Sequence, residues 1–221
     1  MHSPAPRSKK PDDTTVLLAD PRVSAVPLRE CGEPLVALDA SFGPAAALVR
    51  RGLAERLADA RDRMPTGIHL HVVEGYRPVR EQRAIIARYS DTVRATRPGI
   101  SESDLRVLTS RFVAPLEVAP HPAGAAVDLT LTDAGGCELD LGTAIDATPE
   151  QSGGRCYFAA TDISPEACAH RDLLARTLGA AGLVNYPTEW WHWSYGDRYW
   201  ALVTGAEAAH YGPVAAEGCP A

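Results

Sequence analysis

Two imidazoles and two carboxylates stand in this chain at spacings that suit metal-assisted hydrolysis. One pair lies in His121-Pro-Ala-Gly-Ala-Ala-Val-Asp128, the other, well downstream, in Glu189-Trp-Trp-His192. A catalytic zinc takes three protein ligands from His, Asp or Glu and keeps a fourth position for water. A further carboxylate beside that water acts as its general base. His121, Asp128 and His192 fit the ligand roles, and Glu189, three residues before His192, fits the base.

Each half alone has a plainer explanation. His121 and Asp128 could be a loop histidine and a salt-bridged strand aspartate, and Glu189 and His192 could flank a buried aromatic strand end. Two neighbouring tryptophans, with Trp193 and Trp200 close behind, point to packing. Packing does not explain why Glu and His bracket the apolar pair. Arg77 is a third element, a cation in the Gly75-Tyr76-Arg77-Pro78 turn, whose fixed donors could stabilise an oxyanion. Its plain alternative is an ion pair with Glu74 or Glu81. His69 and His71, at i and i+2 on a strand, form a rival ligand pair that lacks a third partner. His2, His170 and His210 read as bystanders.

These groups need elements to hold them. The apolar spacing from Pro44 to Met64 predicts a helix, closed by Pro65. Ile68–Glu74 alternates and is rich in β-branched residues, so it reads as a strand. A helix is expected over Val79–Arg94, and another from the Ser101 cap to about Val113. Prolines exclude helix between Pro115 and His121. Seven residues cannot place His121 and Asp128 on one face of a straight strand, so Pro122-Ala-Gly124 must supply a bend. A strand then runs over Ala125–Leu131 to the turn at Asp133–Gly136. Residues 135–163 read as a long functional loop. Ser164-Pro165 opens a helix to about Ala181, and short strands follow near Leu183–Tyr186 and Trp190–Tyr195. Residues 15–40 suggest short strands or extended loop. The sum is an α+β domain with a small, mostly antiparallel sheet flanked by helices.

The chain has 221 residues, 45% hydrophobic and 23% charged, which suits one globular domain over 15–221 behind a flexible, proline-rich tail at 1–14. A net charge of −6 argues against a nucleic-acid partner. No apolar run approaches a membrane span, and the first residues lack the apolar core of a secretory signal. Five cysteines without C-x-x-C spacing read as reduced structural thiols. The cytoplasm is the expected compartment, and association into a homo-oligomer is left open.

With these residues assembled, the chain resembles the D-alanyl-D-alanine dipeptidase family, the VanX-like zinc peptidases, within the DD-peptidases that share a fold with the hedgehog signalling domain. The matching segments are Glu74-Gly-Tyr-Arg-Pro78, His121-x-x-Gly124-x-Ala126-x-Asp128-Leu-Thr130, Leu139-Asp-Leu-Gly142, His170-Arg-Asp-Leu-Leu174 and Pro187-Thr-Glu-Trp-Trp-His192. The resemblance implies one zinc ion per chain on His121, Asp128 and His192, with Glu189 as base and Arg77 steadying the tetrahedral intermediate. It implies that Asp146 binds the substrate's ammonium group and that Tyr76 and Trp191 shape the pocket. The implied substrate is a small dipeptide, D-Ala-D-Ala foremost. A peptidoglycan carboxypeptidase or endopeptidase, or a non-catalytic zinc-binding module that recognises peptides, are the alternatives on that scaffold. One departure is Ala119, where the family commonly has a substrate-contacting serine.

Overall fold

The computed structural model describes residues 15–214; the proposed tail at 1–14 lies outside them, as does Cys219. A short helix α1 (Pro21–Ala25), capped by Asp20, leads to strand β1 (Leu35–Ala37), which pairs antiparallel with β2 (Leu48–Arg50). Helix α2 (Arg51–Asp62) follows without a break, then strand β3 (Ile68–Glu74). The helix expected from Pro44 therefore begins seven residues late. Ala46 sits at a φ of 45°, which an α-helix cannot contain. The Leu48 carbonyl is also taken by the Tyr76 amide at 2.6 Å, so residues 48–50 are bound as strand from both sides.

Helices α3 (Val79–Thr96) and α4 (Glu102–Thr109) come next, the latter capped by the Ser101 hydroxyl. Helix α4 stops four residues short of the expected end. The prolines at 115–122 do exclude α-helix, but two 3-10 turns form there, Leu116–Val118 and His121–Ala123. Strand β4 (Ala126–Asp133) leads into the long loop, which holds one small helix, α5 (Pro149–Ser152). Helix α6 (Pro165–Ala180) begins at the Ser164 cap, as its sequence requires. Strands β5 (Val184–Asn185) and β6 (His192–Ser194) precede α7 (Arg198–Thr204), a helix that the aromatic composition hid.

The main sheet has the order β3-β4-β6-β5 and is antiparallel throughout. Its central strand alternates: Val127, Leu129 and Leu131 enter the main core with α2 (Leu53, Leu57) and α6 (Leu174, Leu178). Asp128, Thr130 and Thr132 point to the other face, yet are also buried. A strand buried on both faces with one polar side needs partners for that side, and this is where the site is built. The architecture is α+β. No helix among the described residues is long and apolar enough to cross a membrane, and their four cysteines are free.

Candidate metal and catalytic site

The register of the sheet brings distant carboxylates and imidazoles into one row. Asp128 on β4 stands directly opposite His192 on β6, and Glu74 on β3 flanks Asp128 on the other side. A bulge between Val72 and Glu74 breaks the alternation of β3 there and turns Glu74 to the site. His121 arrives from the 3-10 turn ahead of β4. That turn closes on Gly124 at a φ of 64°, where an added Cβ would lie 2.4 Å from Leu35 Cδ2. The left-handed φ is what calls for glycine there, since the Leu35 side-chain end could swing aside.

Three donors then converge. His121 Nε2 lies 3.1 Å from His192 Nδ1 and 3.3 Å from Asp128 Oδ2, while His192 Nδ1 lies 3.0 Å from Asp128 Oδ1. The ligand atoms of the three residues all fall within 4.8 Å of one another, and all three residues are buried. Around a tetrahedral ion with bonds of about 2.0–2.1 Å, ligand atoms lie roughly 3.3 Å apart. The cluster has that spacing. His121 Nδ1 donates to the Gly75 carbonyl at 2.7 Å, which leaves its Nε2 lone pair facing the cluster. Two imidazoles and a carboxylate at such range could hold one divalent cation between them, and a two-nitrogen, one-oxygen set is one that zinc accepts.

Burial opposes charge on Asp128, but the flanking His121 and His192 outweigh it and hold the carboxyl well below the usual range. Burial also opposes charge on His121, where Asp128 wins and raises it; on His192 burial prevails and lowers it. Glu189 is 7% exposed, with Oε2 3.9 Å from His192 Nδ1. Burial, then the charges of Asp128 and Asp146, push its pKa well above the carboxylate norm. The turn that carries Glu189 is pinned by Asn185, whose amide donates to the carbonyls of Glu189 and His192, both at 2.9 Å.

Arg77 is fixed on three sides. Its Nε donates to Glu74 at 2.7 Å, its Nη2 also donates to Glu74, and its Nη1 donates to Gln82 Oε1 at 2.9 Å. The expected partner Glu74 is present, yet Arg77 Nη2 also comes within 3.8 Å of Asp128, so the pair belongs to the site. Burial works against the charged guanidinium, but Glu74 and the other carboxylates more than offset it and raise its pKa. Sequence reasoning missed Gln82, which is 1% exposed and donates to the Ala114 carbonyl at 2.9 Å. The signal existed: Gln82, Ile86, Tyr89 and Val93 recur at helical spacing, so a glutamine sits on the stripe that should be apolar.

The His121–Asp128–His192 cluster, Glu189, Glu74, Arg77 and Gln82 line one cavity of about 290 Å³, together with Asp146, Trp191 and apolar residues that include Leu18, Ile85 and Phe112. That is the small end of ligand sites. Asp146 is exposed at the rim, where the surrounding protein and then Asp128 and Glu74 push its pKa up to about 6. Tyr76 is half-buried and is not among the lining residues. His69 is exposed and joins no cluster of metal-ligating residues among those described; His71 packs on Gly43.

Residues 43–206 match a family model described as D-ala-D-ala dipeptidase. A D-alanyl-D-alanine dipeptidase from Synechocystis sp. is 28% identical over 217 residues, covering 80% of this chain and 87% of that protein. One from Escherichia coli is 38% identical over 72 residues, 33% of this chain and 35% of the other. Among solved structures, VanYB in complex with D-alanine-D-alanine is 18% identical with a TM-score of 0.47, covering 74% of this chain and 77% of that one.

Proposed function

Because the chain belongs to the D-ala-D-ala dipeptidase family of metallopeptidases, we propose that it is a zinc-dependent dipeptidase, one ion per chain, acting on D-alanyl-D-alanine or a closely related small D,D-dipeptide. The observation that carries this reading is the spacing of His121, Asp128 and His192 around one point, with Glu189 beside it.

Those three residues would hold the zinc. Such an ion would supply a Lewis acid for the scissile carbonyl and would make an attacking water more acidic. Glu189 takes the proton of the attacking water and delivers it to the departing amine. Burial beside Asp128 and Asp146 raises its pKa, which makes its carboxylate a stronger base than an exposed one. Arg77, oriented by Glu74 and Gln82, donates to the oxyanion of the tetrahedral intermediate. Asp146 at the rim binds the free ammonium group, which favours dipeptides over longer chains, and Trp191 forms an apolar wall. Tyr76 is left out of the proposed pocket. The exposed free thiols Cys31 and Cys137 suit a reducing compartment, so the reaction is assigned to the cytoplasm.

The test is metal analysis of the purified protein together with hydrolysis of D,D-, L,D- and L,L-dipeptides and a muropeptide. About one zinc per chain and turnover confined to free D,D-dipeptides, lost on chelation and restored by zinc, are expected. Turnover that survives chelation, or a preference for the muropeptide, overturns the reading.

A further inference from the structure

The segment His170-Arg-Asp-Leu-Leu174 lies on α6, away from the metal donors, and Arg171 within it is only 1% exposed. No carboxylate pairs with it among the described residues. Its donors go to backbone carbonyls alone. Nε and Nη2 both reach Leu141, at 2.9 and 2.6 Å. Nη1 reaches Tyr157 at 2.6 Å and Phe158 at 3.3 Å, and Nη2 also reaches Arg155 at 2.8 Å. A buried guanidinium without a counter-ion is expensive, and it persists only where its hydrogen bonds are met. Burial accordingly draws its pKa down to about 10.

What Arg171 grips is both ends of one loop: Leu141 at the start, and Arg155, Tyr157 and Phe158 at the close. Between them stands Asp146 at a φ of 61°, in the left-handed region that aspartate enters more readily than most non-glycine residues. Thr143 lies there too, and its hydroxyl accepts from Trp190 Nε1 at 2.8 Å. The loop also passes close over the arginine. An added Cβ at Gly142, whose φ is 88°, would come within 3.1 Å of Arg171 Nη2 and 2.7 Å of Ile163 Cγ2.

We propose that Arg171 is a positioning residue for specificity: by pinning both ends of residues 141–158 it fixes Asp146 at the cavity rim and thereby sets affinity for the amino end of the dipeptide. The proposal rests on the reading of Asp146 as the ammonium-binding group. Only a planar fork of donors can span carbonyls on two sides of a loop. Lysine offers a single point of attachment in the same place. The loop keeps its outer anchors in such a variant, since Tyr89 donates to Glu150 at 2.7 Å and Arg111 Nε to Tyr157 at 2.9 Å.

The experiment compares Arg171→Lys, Gly142→Ala and Asp146→Asn, each loaded with zinc, on D-Ala-D-Ala. Arg171→Lys is expected to raise KM about tenfold or more, with kcat within about threefold and metal content unchanged. Amide exchange over 143–154 should quicken, and Gly142→Ala should reproduce the pattern from the other side of the contact. In an Asp146→Asn background, Arg171→Lys should add less than about twofold to KM, because the two residues act in series. An unchanged KM in Arg171→Lys, or kcat and zinc lost in proportion, overturns the proposal while leaving Asp146 in its role if Asp146→Asn alone weakens binding. An Asp146→Asn enzyme with normal KM removes the ammonium-binding reading itself, and the proposal with it.

Discussion

The two sides of the cavity are built differently. Asp128, His192 and Glu74 occupy one row across three hydrogen-bonded strands, while Asp146 hangs from a loop with only about one turn of helix in it. The first side must keep donor atoms about 3 Å apart, and a sheet fixes such spacing through backbone bonds on both flanks of each residue. In the proposed function the second side would have only to present one charge to the end of a substrate. A loop serves there and can be re-cut without disturbing the metal donors. Chemistry on the sheet and recognition on the loop imply that substitutions on the two sides should separate into kcat and KM effects.

The largest effect should come from the sheet side. Glu189→Gln keeps shape and removes the proton acceptor, so kcat should fall by about 10³-fold or more with zinc content and KM little changed. Retained turnover would take the base role away from Glu189. Gln82→Leu acts one step further out. It frees Arg77 Nη1 and leaves the Ala114 carbonyl unpaired, and a misplaced oxyanion donor should cost kcat roughly 10- to 100-fold. A KM effect without a kcat effect would move Gln82 to the recognition side.

The loop side should show itself through pH. In its proposed role Asp146 would bind an ammonium group only when ionised, and the surrounding protein, Asp128 and Glu74 push its pKa up to about 6. The folded pKa is raised, so the binding-competent form is present above about 6 and is lost as pH falls through that value. KM for D-Ala-D-Ala should therefore climb below pH 6, about tenfold per unit once protonation dominates. Asp146→Asn should flatten that limb at a uniformly high KM. A limb that persists in the variant would mean another group titrates.

The same division governed what the sequence disclosed. That His121, Asp128, Glu189 and His192 would come together was legible because metal-assisted hydrolysis calls for those residue types, and Ile68–Glu74 because alternation survives in an unpaired reading. Strand β2 was not legible. Leu48-Val49-Arg50 fits a helical stripe equally well, and only pairing with Leu35–Ala37 and the Tyr76 amide makes it a strand. The bulge that turns Glu74 to the site depends on β3–β4 register, which no local pattern encodes. Arg171 stood in a matching segment, but its grip on four carbonyls depends on how a distant loop folds over α6. Helix α7 could have been found from Asp197, which accepts from the amides of Tyr199 and Trp200, and from Gly205 beyond its end.

The smallest expected effect lies where the two sides touch. Trp190 Nε1 donates to Thr143 Oγ1, joining the strand-end turn that carries Glu189 to the loop that carries Asp146. Thr143→Val keeps the shape and removes the acceptor. Trp190 is 1% exposed, so its N–H would be left without a partner, and stability should drop by about 1 kcal/mol, measurable by denaturant titration. Because the Glu189 turn is held separately by Asn185, kcat should stay near that of the parent, while KM rises a few-fold as the loop loosens. A kcat loss as large as the KM rise would show that the two sides are mechanically one body, and the division into chemistry and recognition would then fail at its boundary.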